Sequence, residues 1–171
     1  TKYKTTGSNA HAINVKAGIA ELTGDTVTTS GSGSHGLSSS GGTIAGSGVT
    51  VNIEGEGGVG AYATTKGDVT LTGASKVTTT VGNATGLFAD TNGTVKAAST
   101  TVLTKGNNSI AAKADGGTVT LSEATSLTTS SASSKGIYST NAGAVDATGV
   151  KVTIDGSNSV AVSADQSGNI I

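Results

Sequence analysis

Two histidines, a few regularly spaced carboxylates and a small set of aromatic side chains are the residues here whose types and spacing could do chemistry. His11 and His35 lie 24 residues apart. Two imidazoles brought together begin a metal site, but a stable one needs further ligands. No third residue shares their register, so the pair reads as solvated corner residues. Asp90 and Asp115 are 25 apart, and Asp165 follows two such steps later. Carboxylates stacked at that interval repel one another, so they either hold a Ca²⁺ ion or splay into water. The GGxGxD core of calcium-binding nonapeptide repeats is absent. Neither group is assigned a metal, and no cofactor is assigned. Tyr62, Phe88 and Tyr138 are three of the four Tyr and Phe residues in the chain. They are the candidates for contact with a partner, for the reason of register given below.

These residues are embedded in an unusual composition: 171 residues with 27 Gly, 12% charged residues, and no Pro, Cys, Met, Trp or Arg. A core built from so few large side chains must be thin. Thin cores suit a solenoid, in which each repeat buries a small cluster against its neighbours. The ten basic residues are all Lys, spread singly, and the net charge is −1. Nucleic acid is excluded as a partner, because phosphate binding needs a concentrated basic surface. No apolar run approaches the roughly 20 residues that span a bilayer as a helix. Without Cys there is neither a disulfide nor a thiolate metal site.

The organising feature is a repeat of about 25 residues. One strand per repeat is anchored on Ile19, Ile44, Val69, Val95, Val119, Val145 and Ile170, each near a Gly corner; Leu71, Ala97, Leu121 and Ala147 follow two positions on. A second column runs Tyr3, Val27, Val51, Val77, Val102, Leu127, Val152, with Thr or Ile two residues later. Thr resembles Val in shape and favours strand, although a buried hydroxyl needs a partner. A third column runs Ile13, Leu37, Ala61, Leu87, Ile110, Ile137, Val160, with Ser39, Ala63, Ala89, Ala112 and Ser139 as its small inward companions. The period of two within each strand marks one buried face.

Three columns per turn predict an all-β fold: a single-stranded parallel β-helix with three short strands per ~25-residue turn and about six to seven turns. A right-handed coil is expected from the handedness of parallel crossovers. At one strand spacing per turn the rod is roughly 32 Å long. Asn83, Asn108, Ser133 and Asn158 recur every 25 residues. They are expected to stack at one corner, either as turn residues or as a side-chain amide ladder. Gly and Ser clusters at 31–36, 55–60 and 130–136 fall at corners. Residues 1–171 read as one β-helix segment without an internal boundary. Its ends fall inside turns and it begins at Thr1, as expected of a section of a longer solenoid. The alternation places Tyr62, Phe88 and Tyr138 outward on one face, where aromatics among Ser, Thr and Gly are candidates for partner contact.

The recurring phrases GLFADTNGTV, GAYATTKGDV, GIYSTNAGAV and SIAAKADGGTV resemble the strand and loop repeats of autotransporter passenger domains of Gram-negative bacteria. The resemblance covers essentially the whole chain. It implies export across the outer membrane through a C-terminal β-barrel of the same precursor, which this chain does not include. It also implies a secreted or cell-surface location and a role in adhesion, aggregation or signalling to host cells. The partner would be a host cell-surface protein or glycan, or a second copy of the rod. A passenger released from its barrel would act instead as a soluble ligand of a host receptor.

Enzymatic readings find no support in the residues. The GDSGS-like nucleophile motif of protease passengers is missing, since GDTVTTSGSGS at 24–34 does not match it. The Arg base of β-helical polysaccharide lyases has no counterpart in a chain without Arg, and the paired Asp clusters of β-helical glycoside hydrolases are missing too. An ice-binding solenoid needs an outward Thr-x-Thr grid. Lys76, Leu103 and Lys151 interrupt that grid beside the second column.

Overall fold

The computed structural model describes residues 1–171, and all regular structure in it is β-strand. One turn consists of three strands, for example Lys76–Thr79, Thr85–Asp90 and Thr94–Ala98. Each strand pairs in parallel with its counterpart one turn before and one turn after. Seven turns therefore build three seven-stranded sheets. Sheet A runs from Lys2–Thr5 to Lys151–Ile154, sheet B from Ile13–Val15 to Val160–Ala164, and sheet C from Ile19–Thr23 to Asn169–Ile170. The expected β-solenoid of about seven turns and about 25 residues per turn is what the chain forms.

The core lies inside the coil as columns of stacked side chains. In sheet A the register is Tyr3↔Val27↔Val51↔Val77↔Val102↔Leu127↔Val152, residue for residue the predicted second column. Its inward Thr residues split into two groups. Thr5 and Thr29 donate to the carbonyls of Ala10 and Ser34 at 2.7 and 3.4 Å. The hydroxyls of Thr79, Thr104 and Thr129 are buried without a partner, each carrying the desolvation cost of an unmade bond.

Sheets B and C correct three anchors. Ile19 pairs with Thr43 on the outward side and is 72% exposed, while Ala20 pairs with Ile44 and takes the inward place. The first full turn is thus one residue shorter than the predicted step. Ile110 pairs with Thr85 and Lys135, and the inward partner of Leu87 is Ala112. Val160 likewise pairs with Lys135, and Val162 aligns with Ile137. The true column is Leu37, Ala61, Leu87, Ala112, Ile137, Val162. Large and small side chains alternate along its middle, from Leu37 through Ala61, Leu87 and Ala112 to Ile137. Ala114, not Ala112, is then the small companion aligned with Ala89 and Ser139.

The corners belong to the same hydrogen-bonded lattice. Of 114 backbone–backbone bonds, 48 lie outside the strand ladders, many of them joining one corner to the next turn's corner. At the corner between sheets A and B, Asn83, Asn108, Ser133 and Asn158 all have positive φ, between 52 and 57°. Asn9, Gly33 and Gly57 fill the same column at φ of 55, 67 and 69°. Asn tolerates this conformation better than most residues. The stacked bonds there are backbone bonds, such as Asn83 N to Asn107 O at 2.9 Å. The side-chain ladder runs instead through the buried Ser109 and Ser134 to the half-buried Ser159: Ser134 N donates to Ser159 Oγ at 2.9 Å, and Ser109 N to Ser134 Oγ at 3.3 Å.

Candidate functional site

The outer face of sheet B gathers nearly all of the chemically distinctive side chains. Its central column runs Tyr62, Phe88, Lys113, Tyr138 in direct register. The strand alternation that buries Ala61, Leu87, Ala112 and Ile137 turns these four outward. The Tyr62 and Phe88 rings meet at 5.3 Å between centroids with planes tilted 59°. Tyr138 is separated from them by one turn, and Lys113 occupies the gap. The Lys113 ammonium sits 4.5 Å from the Phe88 centroid and 6.0 Å from that of Tyr138, and Lys135 lies over Tyr138 at 3.6 Å. Cations over ring faces are attracted by the ring quadrupole. Phe88 and the two tyrosines are therefore half-buried among their own neighbours.

The histidines extend the aromatic stack from a neighbouring register, since His35 pairs with Val59 and Ser38 holds the place before Tyr62 in the column. The imidazoles of His11 and His35 stack at 4.5 Å with an interplanar angle of 9°, and His35 lies 4.7 Å from Tyr62. The expected solvated corner is thus a packed aromatic stack. The His35 backbone N–H donates to His11 Nδ1 at 3.1 Å, and His35 Nδ1 is buried without a partner. Burial, reinforced by the neighbouring imidazole, lowers the His35 pKa to about 4. Burial lowers that of His11 as well. Parallel stacked rings keep their in-plane lone pairs apart, so the two cannot converge on one ion, and no group of three or more potential ligand residues comes together.

The carboxylates flank the column on its other side. Asp90 accepts from the Tyr62 hydroxyl at 2.9 Å, and Asp165 accepts from Tyr138 at 2.9 Å. Asp115 pairs with Lys113 at 3.0 Å and accepts from Asn141 at 2.7 Å. They neither converge on an ion nor splay freely into water. Hydrogen bonds, first from Asn141 and then from Lys113, hold the Asp115 carboxyl below its usual range against opposing burial. Bonds from Thr140 and Tyr138 do the same for Asp165. Burial and then the Asp90 bond push the Tyr62 hydroxyl up, and the Asp165 bond raises Tyr138.

Beside the column a shallow trough of about 380 Å³ runs along the rod axis. Val59, Thr85 and Ile110, from three successive turns, form its floor. Tyr62, Phe88 and Lys113 form one wall, and the left-handed corner with Asn83 and Asn108 forms the other. Tyr62, Phe88 and Tyr138 are brought to one face as predicted, and the structure adds Lys113, Lys135, His35 and the trough. Lys113 escaped the sequence reading because the anchor at Ile110 placed the outward position two residues early; once Ala112 is recognised as inward, Lys113 falls into the aromatic column.

Comparison with models of known families, with curated proteins and with solved structures finds no match.

Proposed function

We propose that this β-solenoid is a contact element of the autotransporter-passenger kind, displayed on or released from a Gram-negative cell surface. It holds the outer face of sheet B against a host-cell protein or glycan. The observation that carries this reading is the aromatic column: in a chain with four Tyr and Phe residues, three stand on one outer face. Aromatic residues held rigidly at a surface are strong binding anchors because they bury large area at little entropic cost. The resemblance of the repeats to passenger repeats supplies the setting, with a C-terminal β-barrel in the same precursor and export across the outer membrane. No catalytic step is assigned, and the mechanism is contact.

The test is attachment of the purified, labelled chain to cultured host cells, beside a variant carrying Tyr62→Ser, Phe88→Ser and Tyr138→Ser. Circular dichroism checks that both remain β-folded. The reading expects at least a tenfold loss of attachment for the folded variant. Equal attachment by a folded variant removes the aromatic face as the contact surface, and absence of attachment by the native chain removes the host-contact role.

A further inference from the structure

We infer that the trough beside the aromatic column binds an uncharged oligosaccharide lying along the rod axis; this deepens, and rests on, the contact role proposed above. Its volume of about 380 Å³ lies within the range typical of small-ligand sites. Three turns place its outer strands about 10 Å apart, which suits a di- or trisaccharide rather than a single small molecule or a folded domain.

The chemistry of the two sides matches a sugar. The floor is firm and mostly apolar, with one hydroxyl at its middle: Val59 and Thr85 are 5% and 8% exposed, and Ile110 is half-buried. Such a strip receives the C–H face of a pyranose ring. Along the rim, Asn83 and Asn108 present exposed primary amides from adjacent turns. The Asn108 side chain makes no hydrogen bond within the protein, whereas Asn83 uses Nδ2 to reach Glu56 at 2.9 Å and keeps its oxygen free. A primary amide offers both donor and acceptor, which is what ring hydroxyls require.

Charge and backbone geometry argue against other occupants. The Lys113 ammonium in the wall is already balanced by Asp115 at 3.0 Å, and the Glu56 carboxylate is engaged by Asn83. An acidic ligand would therefore have to break an existing pair. An extended peptide needs partners for its own N–H and C=O groups. The strands beneath the trough, Val59–Thr64, Thr85–Asp90 and Ile110–Asp115, are paired along both edges, so no edge is open to add a strand. A glycan carries hydroxyls that side-chain amides alone can satisfy.

The experiment is a two-dimensional NMR titration of the isotope-labelled chain with cellotriose, maltotriose and chitotriose, and with trigalacturonate as the acidic counterpart. The comparison variant is Asn83→Gly/Asn108→Gly, which keeps the corner intact because Gly33 and Gly57 fill the same column at φ of 67 and 69°. The expected result is saturable shifts of the Asn83, Thr85 and Asn108 signals with at least one neutral trisaccharide. Affinity falls at least tenfold in the double variant, and trigalacturonate binds no more tightly. The proposal is overturned if no neutral trisaccharide moves those signals, if the double variant binds equally well, or if trigalacturonate binds tenfold more tightly. Cell attachment that depends on the aromatic column, without trisaccharide binding, overturns the glycan assignment and leaves the contact role standing. Trisaccharide binding without cell attachment supports the glycan site and removes the host-cell setting.

Discussion

His35 is the residue at which the outer stack couples to stability. Its imidazole is wedged between His11 and Tyr62, and the charged form is disfavoured by burial and by the second imidazole. The titratable neighbours facing it are His11 on one side and Tyr62 on the other, the latter with a raised pKa and therefore neutral. The folded pKa near 4 lies below the reference value of 6.5, so between those values the unfolded chain binds more protons than the folded one. Stability contributed by neutral His35 is then present in full above pH 6.5 and declines as the pH falls through that window toward 4. The loss is at most about 3 kcal/mol, less what partial solvent access screens. Urea denaturation of the native chain should show this decline, and His35→Phe should reduce it, leaving the share that belongs to His11, whose pKa burial also lowers. A second decline is expected below 3.8 as Asp115, Asp146 and Asp165, all with lowered pKa values, become protonated. An unchanged pH profile for His35→Phe would place the sensitive group elsewhere. Gly93 shows a different residue-scale constraint. A Cβ there would collide with the backbone carbonyl of Ala63 in the preceding turn, and Gly67, Gly117, Gly143 and Gly168 face similar backbone collisions. Gly93→Ala should cost about 1–3 kcal/mol by overpacking, read as a lower urea midpoint with the slope unchanged.

At the scale of strands and corners, the left-handed column is where local conformation and register meet. Asn108 sits at φ of 55° and its N–H bonds to Ala132 O at 3.1 Å in the next turn. Asn108→Val forces a β-branched side chain into that conformation and should destabilise by about 1–2 kcal/mol. Asn108→Gly should stay within about 0.5 kcal/mol of the native chain. Equal midpoints for the two variants in urea would mean that the corner relaxes out of the left-handed region. The sequence disclosed these corners because Asn and Gly recur at them. Other left-handed corners carry a less regular cue: the turns after sheet B have positive φ at Thr65 and Lys66 in one turn and at Thr91 and Asn92 in the next. In each, a bond of 2.7 Å closes the turn, from Gly67 N to Thr64 O and from Gly93 N to Asp90 O. The strands follow the same logic. Sheet A was legible to the residue because Val or Leu, with Tyr3 in the first turn, alternates with Thr or Ile throughout. Sheets B and C misled at Ile19, Ile110 and Val160, where a conspicuous β-branched residue faces out and the column place falls to Ala20, Ala112 and Val162, one or two positions on. Inward volume is decided by the turns above and below, and a single repeat does not display it. The candidate face inherits that limit: the outward Tyr and Phe were readable, whereas Lys113 and the histidine stack depend on register across turns.

At the scale of the whole rod, each turn is packed only on the turn before and the turn after, so stability is a sum of turn and interface contributions. Opening a middle turn breaks two interfaces and bares two sheet edges, whereas opening an outermost turn breaks one. The outer turns here are correspondingly less covered: Val160 and Val162 are 44% and 51% exposed, while Leu87 and Val102 are fully buried. Hydrogen exchange should therefore be slowest around the strands Thr85–Asp90 and Thr101–Thr104 and fastest in the first and last turns. Leu87→Ala sharpens the test. Its column neighbours are Ala61 and Ala112, too small to collapse into the space, so the cost belongs in the upper part of the 2–5 kcal/mol range for such truncations. Because the middle turns cannot open separately without breaking two interfaces, their amides in Leu87→Ala should lose one common amount of protection, equal to the loss measured by urea. The amides of Tyr3 and Val152, expected to exchange by local fraying of the outer turns, should not change. A loss confined to the turn containing residue 87 would instead show that the turns open independently and that the interfaces between them are weak.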